Sequence, residues 1–407
     1  MIAEILTIGT EVITGSILNK NTQYLSSKLM ELGIEPLYHT SVDDNEERLT
    51  NVFKIALGRA DVIITTGGLG PTQDDLTKEV IAKTLGLSME KDSLMEEKIK
   101  GKFQNMHSFM TENNLKQAEK PIGAQFIENN NGTAPGIFIN KDGKKIVLLP
   151  GPPRELEPMF ENYVAGLIKD DYTIIKKSIN TIGIGESALE TELKKLNIYN
   201  NGFEIATFAK DGEVEIKIIG KGKDRLEIEG KVNKIVDIIN DKFSEFIYGH
   251  DNIPIEELVL NKLRERQYKI ALCESCTGGL IASKLTSISG ASEVLDRGLV
   301  TYSNQAKIDE LGVSLQTLQE YGAVSKNTAY EMAKGLFEKA KVDLVLSITG
   351  IAGPLGGSPE KPVGLVYMCV MTREKFKVFE NHFSGNRISI QNRATIRALY
   401  EILNFIK

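Results

Sequence analysis

The sequence predicts an α/β chain: two three-layer α/β domains joined by a small α+β domain. Three observations carry that expectation. At 407 residues the chain exceeds what one ordinary core serves. Short apolar runs alternate with amphipathic stretches in the first and last thirds, the pattern of a largely parallel sheet covered by helices. Between them lies a Lys-rich segment with strand-like alternation. These shifts set expected domain limits at 1–170, 171–250 and 251–407.

In the first domain strands are expected over Ile2 to Ile8, Ile34 to Val42 and Asp61 to Thr66, with helices over Asn19 to Leu32 and Asn45 to Leu57. Ala124 to Glu128, Gly136 to Ile139 and Lys145 to Leu149 are spaced by Asn/Gly turns and read as a hairpin region. Pro150-Gly-Pro-Pro153 closes it, because proline supplies no ladder donor. The middle domain combines alternating strands such as Glu213 to Ile219 with helical runs over Ser187 to Leu196 and Asp224 to Phe243. In the last domain a helix from Pro254 to Arg266 leads to a strand from Tyr268 to Cys273 and a helix from Gly279 to Leu285. A strand from Gly298 to Tyr302, a helix from Asn327 to Ala340 and a strand from Asp343 to Ile348 follow. Strands over Val363 to Val370 and Lys375 to His382 precede a closing helix from Ser389 to Ile406.

Composition narrows the function classes. Hydrophobic residues at 41% and charged residues at 26% describe a soluble globular chain rather than a disordered one. The 49 basic and 55 acidic side chains leave a net charge of -6, with no basic cluster, which argues against a nucleic-acid partner. The first residues carry Glu4 and Glu11 without a basic leader, no apolar run reaches membrane-spanning length, and three cysteines support no disulfide framework. The expected setting is cytoplasmic, with no membrane partner.

The strand ending at Cys273 runs into Glu274-Ser-Cys-Thr-Gly-Gly279 and then a helix. A hydroxyl, Ser275, is thereby placed with backbone N–H groups at a helix N-terminus, able to hold an anion or an oxyanion. Serine needs a base, and the domain's one histidine, His382, has no partner motif. Lys307, in the first turn of a helix after Thr301-Tyr-Ser-Asn-Gln-Ala306, is the candidate; it must be neutral, hence held well below about 10.4. Tyr302 would relay or orient the proton. Thr349-Gly-Ile-Ala-Gly353 is a second glycine-rich strand exit, and Arg387 a fork for phosphate. The plainer reading makes Ser275 a helix cap, Lys307 a solvated lysine and Arg387 a surface charge. Cys273 and Cys276 also spell the spacing of a redox pair.

Near the N-terminus, Thr65-Thr-Gly-Gly-Leu-Gly-Pro-Thr-Gln-Asp-Asp-Leu-Thr77 sits at a strand exit. Gly67, Gly68 and Gly70 allow close backbone approach to phosphate, and Asp74 and Asp75, joined by Asp44, would hold a hard divalent cation. Otherwise Asp74 and Asp75 charge the first turn of the next helix.

With Gly322-Ala-Val-Ser325 and Lys361-Pro-Val-Gly364, the C-terminal motifs resemble the CinA family, whose C-terminal domain is a nicotinamide mononucleotide deamidase. The resemblance implies a Ser/Lys amidase with Ser275 as nucleophile and Lys307 as base, Tyr302 and Arg387 assisting, and no metal. The strand exits would supply substrate contacts through Thr277, Gly278, Gly279, Thr349, Gly350, Ala352 and Gly353. Gly9-Thr-Glu-Val-Ile-Thr-Gly15, Asn114-Leu-Lys-Gln-Ala118, Gly132-Thr-Ala-Pro-Gly136 and Leu149-Pro-Gly-Pro-Pro153 extend the likeness to a molybdopterin-binding-like N-terminal domain. That domain is linked in the family to ADP-ribose pyrophosphatase activity with Mg, Mn or Co. The middle segment resembles the family's KH-like domain, but Gly183-Ile-Gly-Glu186 lacks the backbone-clamping Gly-x-x-Gly, so a spacer or dimer contact is expected. The expected partners are nicotinamide mononucleotide, ADP-ribose and a second copy in a homodimer. A nucleic-acid-binding accessory role in competence or repair, and molybdopterin handling by the N-terminal domain, are the alternatives.

Overall fold

The structure, a computed structural model, describes residues 1–105, 109–196, 198–199 and 203–406. The chain divides into two compact units, residues 1–175 with 220–229 and residues 176–219 with 230–407.

The N-terminal domain orders β1 (Ile2–Ile8), α1 (Lys20–Glu31), β2 (Glu35–Val42), α2 (Glu46–Arg59), β3 (Val62–Thr66), α3 (Thr77–Thr84), α4 (Ser93–Asn105), β4 (Gln125–Ile127), β5 (Gly136–Lys141), β6 (Lys144–Leu149) and α5 (Pro153–Met159). Its six-stranded sheet runs β2-β1-β3-β6-β5-β4. β1, β2, β3 and β6 are parallel, and the β5–β6 hairpin adds an antiparallel edge. Alternate strand residues enter opposite cores, which makes three layers. Ile5, Ile64 and Val147 meet Leu25, Leu29 and Leu156 on one face, while Leu6, Ile63 and Ile146 meet Phe53 and Ala56 on the other.

The middle domain pairs β7 (Thr173–Thr181), β8 (Phe203–Lys210), β9 (Glu213–Gly222) and β10 (Ile247–His250) in the order β8-β9-β7-β10, with α6 (Glu186–Lys194) and α7 (Arg225–Phe243).

The C-terminal domain continues with α8 (Ile255–Glu265), β11 (Ile270–Glu274), α9 (Leu280–Thr286), β12 (Leu295–Val300), α10 (Asn304–Leu311), α11 (Leu315–Tyr321), α12 (Lys326–Lys339), β13 (Leu344–Gly350), β14 (Leu365–Met371), β15 (Phe376–His382) and α13 (Arg387–Phe405). Its sheet runs β12-β11-β13-β14-β15, with β12, β11 and β13 parallel. Helix α12 packs on one face through Ala329, Met332 and Leu336; α8, α9 and α13 cover the other. Among the described residues no helix is long and apolar enough to cross a membrane.

Three helices, α4, α5 and α11, were not expected. The closing helix begins at Arg387 rather than Ser389, because the Asn386 side chain accepts from Ser389 N and caps it earlier.

Candidate active site

Three adjacent parallel strands end side by side, and the candidate residues follow those ends. Ser275 N donates to Ile348 O (3.0 Å), seating the residue after β11 against β13, and Thr301 N donates to Glu274 O (2.9 Å), tying in the segment after β12. The chain then enters α10, whose first turn is capped by Ser303 Oγ accepting from Ala306 N at 3.0 Å. This aims Lys307 back under the sheet ends, where its side chain is 1% exposed and Nζ lies 3.0 Å from Ser275 Oγ.

The other two neighbours of Nζ are carbonyl oxygens, Thr301 O at 2.8 Å and Tyr302 O at 3.3 Å. A neutral amine donates two N–H bonds and keeps one lone pair. With both donors on carbonyls, the lone pair faces Ser275 Oγ, which then donates its proton. Burial pushes the Lys307 ammonium below the ordinary 10.5. Cys273 and Cys276 would raise it only as thiolates; burial holds the Cys273 thiol well above its usual value and pushes Cys276 up to about 12, so at neutral pH neither carries charge.

The N-terminus of α9 departs from expectation. Its N–H groups are not open to a ligand, because Glu274, 1% exposed, turns its carboxylate into them. It accepts from Thr277 Oγ1 (2.6 Å), Gly279 N (3.0 Å), Ile281 N (3.2 Å) and Ala282 N (2.9 Å), as the partial positive charge of a helix start favours. Thr277 and Gly279 are therefore spent on the turn. Gly278 and Gly279 hold it with φ of +63° and +97°. The N–H groups of Cys276 and Thr277, directly after Ser275, have no oxygen acceptor among the described residues; both approach the Cys276 sulfur, and they are the candidate oxyanion donors. Sequence reasoning missed Gln391, whose Nε2 donates to Cys276 O (2.8 Å) and anchors this turn to α13.

Arg387 donates to Gly353 O (2.8 Å) and to Tyr302 Oη (2.9 Å), bringing three expected residues together. The same contacts locate Tyr302: the residue is 60% exposed, its phenol oxygen accepts from Arg387, and its carbonyl rather than its phenol is the atom that meets Lys307. Thr349 is buried and donates to Ala323 O (2.7 Å), and Ala352 belongs to the core. At Gly350 a Cβ would stand 2.6 Å from Val366 Cγ2 and 2.8 Å from Leu365 O, so packing against β14 requires glycine there. Of that strand exit only Gly353 joins the site. The redox pair is also corrected, since Cys273 and Cys276 belong to the cores on opposite faces of the sheet.

In the N-terminal domain Gly67, Gly68 and Gly70 line a cavity of about 400 Å³ together with Asp44, Asp74 and Asp75. The first two glycines are required by the chain itself: a Cβ would fall 2.0 Å from Ile8 O at Gly67 and 2.1 Å from Thr77 Oγ1 at Gly68. The three aspartates share the cavity without converging as ligands. Asp44 accepts from Thr10 N and Oγ1 (both 2.9 Å), and Asp75 from Thr72 N (2.9 Å) and Oγ1 (2.5 Å). Among the described residues no group of three or more His, Cys, Asp or Glu is arranged to hold a metal ion, so the expected ligand set is not preformed.

Residues 4–170 match the description "Probable molybdopterin binding domain", residues 176–249 "Damage-inducible protein CinA KH domain" and residues 252–406 "CinA C-terminal domain". A putative competence-damage inducible protein of Caldicellulosiruptor bescii is 46% identical over 98% of both chains. One of Thermoanaerobacter pseudethanolicus is 47% identical over 98% of this chain and 97% of its own. Among solved structures, the competence/damage inducible protein CihA from Agrobacterium tumefaciens is 42% identical, covering 38% of this chain and 99% of that one, with a TM-score of 0.36. With full-length likeness of this order and all three domain descriptions matched in sequence, the chain belongs to the CinA family of competence/damage-inducible proteins.

Proposed function

We propose that the C-terminal domain hydrolyses the carboxamide of nicotinamide mononucleotide to nicotinic acid mononucleotide and ammonia. The observation that carries this reading is the buried 3.0 Å contact between Lys307 Nζ and Ser275 Oγ, with two carbonyl oxygens as the other neighbours of the amine. Neutral Lys307 takes the Ser275 proton as Oγ attacks the carboxamide carbon. The carbonyl oxygen becomes an oxyanion beside the Cys276 and Thr277 N–H groups. Collapse breaks the C–N bond, the Lys307 ammonium protonates the departing nitrogen, and ammonia leaves. Water then attacks the acyl ester, giving one proton to Lys307, which returns it to Ser275 as the acid departs. Arg387 keeps donors free beyond Gly353 O and Tyr302 Oη and is exposed, which suits a phosphate monoester at the mouth of the site.

The test is ammonia release from nicotinamide mononucleotide by the intact chain, Ser275→Ala and Lys307→Ala. Each variant is expected to lose a thousandfold or more, on the order seen when members of a catalytic unit are removed. A Ser275→Ala variant that keeps the parental rate excludes the acyl-enzyme.

A second reading concerns the N-terminal cavity, for which we propose ADP-ribose as substrate. Its lining includes Glu11, Asp44, Asp74, Asp75 and Glu155 and no Lys or Arg, so a diphosphate would have to enter with its own divalent cation. Manganese binding measured by calorimetry is expected only when ADP-ribose is present; tight binding to the chain alone would contradict this.

A further inference from the structure

The middle domain is not used by the proposed chemistry, yet it meets the helix that carries Arg387 and Gln391. Helix α13 has two working faces. Arg387 and Gln391, one turn apart, reach Gly353 O, Tyr302 Oη and Cys276 O. Ser389, Asn392, Arg393 and Ile396, also at helical spacing, face the turn between β8 and β9.

That turn approaches closely. At Gly212, where φ is +94°, a Cβ would stand 3.2 Å from Arg393 Cα and 3.4 Å from Ile396 Cβ, so the two backbones meet with no side chain between them. Beside it the Asp211 carboxylate accepts from Ser389 Oγ (3.4 Å) and Asn392 Nδ2 (3.3 Å) and faces Arg393 Nε at 3.6 Å. Further along, Tyr400 Oη donates to Glu245 O (2.9 Å), and Ile182 shares a core with Ile396 and Leu399. The contacts span most of the helix, but among the described residues those of the Asp211 turn are the ones that touch the two turns bearing Arg387 and Gln391.

We propose that the middle domain positions the amidase site through α13: Asp211 is a positioning residue that holds the first turns of the helix, and Gln391 transmits that hold to the Ser275–Thr277 turn. This rests on the Ser275/Lys307 reading. A shift of the helix start would move Cys276 O and with it the adjacent N–H groups on which an oxyanion would depend, and displacements of about 1 Å can cost on the order of a hundredfold in rate.

The test is a double-variant cycle on ammonia release, using the full chain. Gln391→Leu is expected to lower kcat about tenfold with KM within about twofold, since it loosens oxyanion donors rather than substrate contacts. Asp211→Ala is expected to lower kcat about threefold to tenfold, and Asp211→Asn, which keeps an acceptor for Ser389 and Asn392, to restore most of it. Because Asp211 acts through Gln391, the double variant should be no slower than Gln391→Leu alone. Asp211→Ala at the parental rate, or losses that multiply in the double variant, overturns the inference while leaving the amidase reading intact. A parent that releases no ammonia removes both.

Discussion

Lys307 is a side chain whose environment the sequence did not determine. The motif Thr301-Tyr-Ser-Asn-Gln-Ala-Lys307 marked it as a candidate base, and the surface alternative was equally consistent with its type. Its burial follows from the neighbouring strand ends, a long-range property. Two pH dependences follow from its lowered pKa. The base works only when neutral, so kcat/KM should rise with pH through the folded-state pKa, which lies below 10.5, and level off above it. The stability trend has the same origin. The folded state binds this proton less tightly than the unfolded chain, so the lysine costs stability fully below its folded pKa, and the cost fades as pH climbs towards about 10.5. Lys307→Met removes that cost along with two bonds to carbonyls. Its stability relative to the parent in urea unfolding should therefore fall as pH rises; a flat difference from pH 6 to 10 would sink the claim that burial depresses this amine. Glu274 was equally hidden: one residue before the nucleophile it reads as the end of a strand, yet its carboxylate satisfies three N–H groups of α9. Glu274→Ala should cost about 3 kcal/mol in denaturant unfolding, since buried donors lose a charged acceptor.

Periodicity made most elements legible, because strands buried on both faces read as continuous apolar runs and amphipathic helices separate them. The missed elements have local causes. Helix α5 opens on the Pro150–Pro153 run, which read as the end of a strand. Helix α11 is seven residues long and announced only by Ser314, whose hydroxyl accepts from Gln316 N. Sheet order was not legible either, and it is the order β12-β11-β13 that sets the Ser275, Lys307 and Thr349 segments side by side. Helix α10 is the element on which the base depends. Ser303→Ala removes its cap and should cost about 1 kcal/mol of stability. Because Lys307 sits in that first turn, the same variant should lower kcat, and a variant with lowered stability but parental kcat would show that the cap does not position the amine.

At the scale of the whole chain, the two α/β ends follow one architectural plan with different site logic. The C-terminal domain buries its Ser275–Lys307 pair within the fold, whereas the N-terminal cavity gathers carboxylates that, among the described residues, do not converge on a metal. Among the described residues, Ile182 of the middle domain lies in a core of the C-terminal domain, and the N-terminal domain builds its own cores from residues 3–168. Calorimetric unfolding should accordingly resolve more than one transition, since separate cores lack the shared packing that makes unfolding all-or-none. Ligands then identify the transitions. A ligand at a hundred times its Kd stabilises the unit that binds it by about 2.7 kcal/mol. Nicotinic acid mononucleotide, the proposed product, should raise only the transition of the unit containing Ser275, and Ser275→Ala should keep that shift because the hydroxyl serves chemistry more than binding. ADP-ribose with manganese should raise the other. One cooperative transition that both ligands raise equally would mean that the units unfold together, and the two sites could no longer be treated as thermodynamically separate.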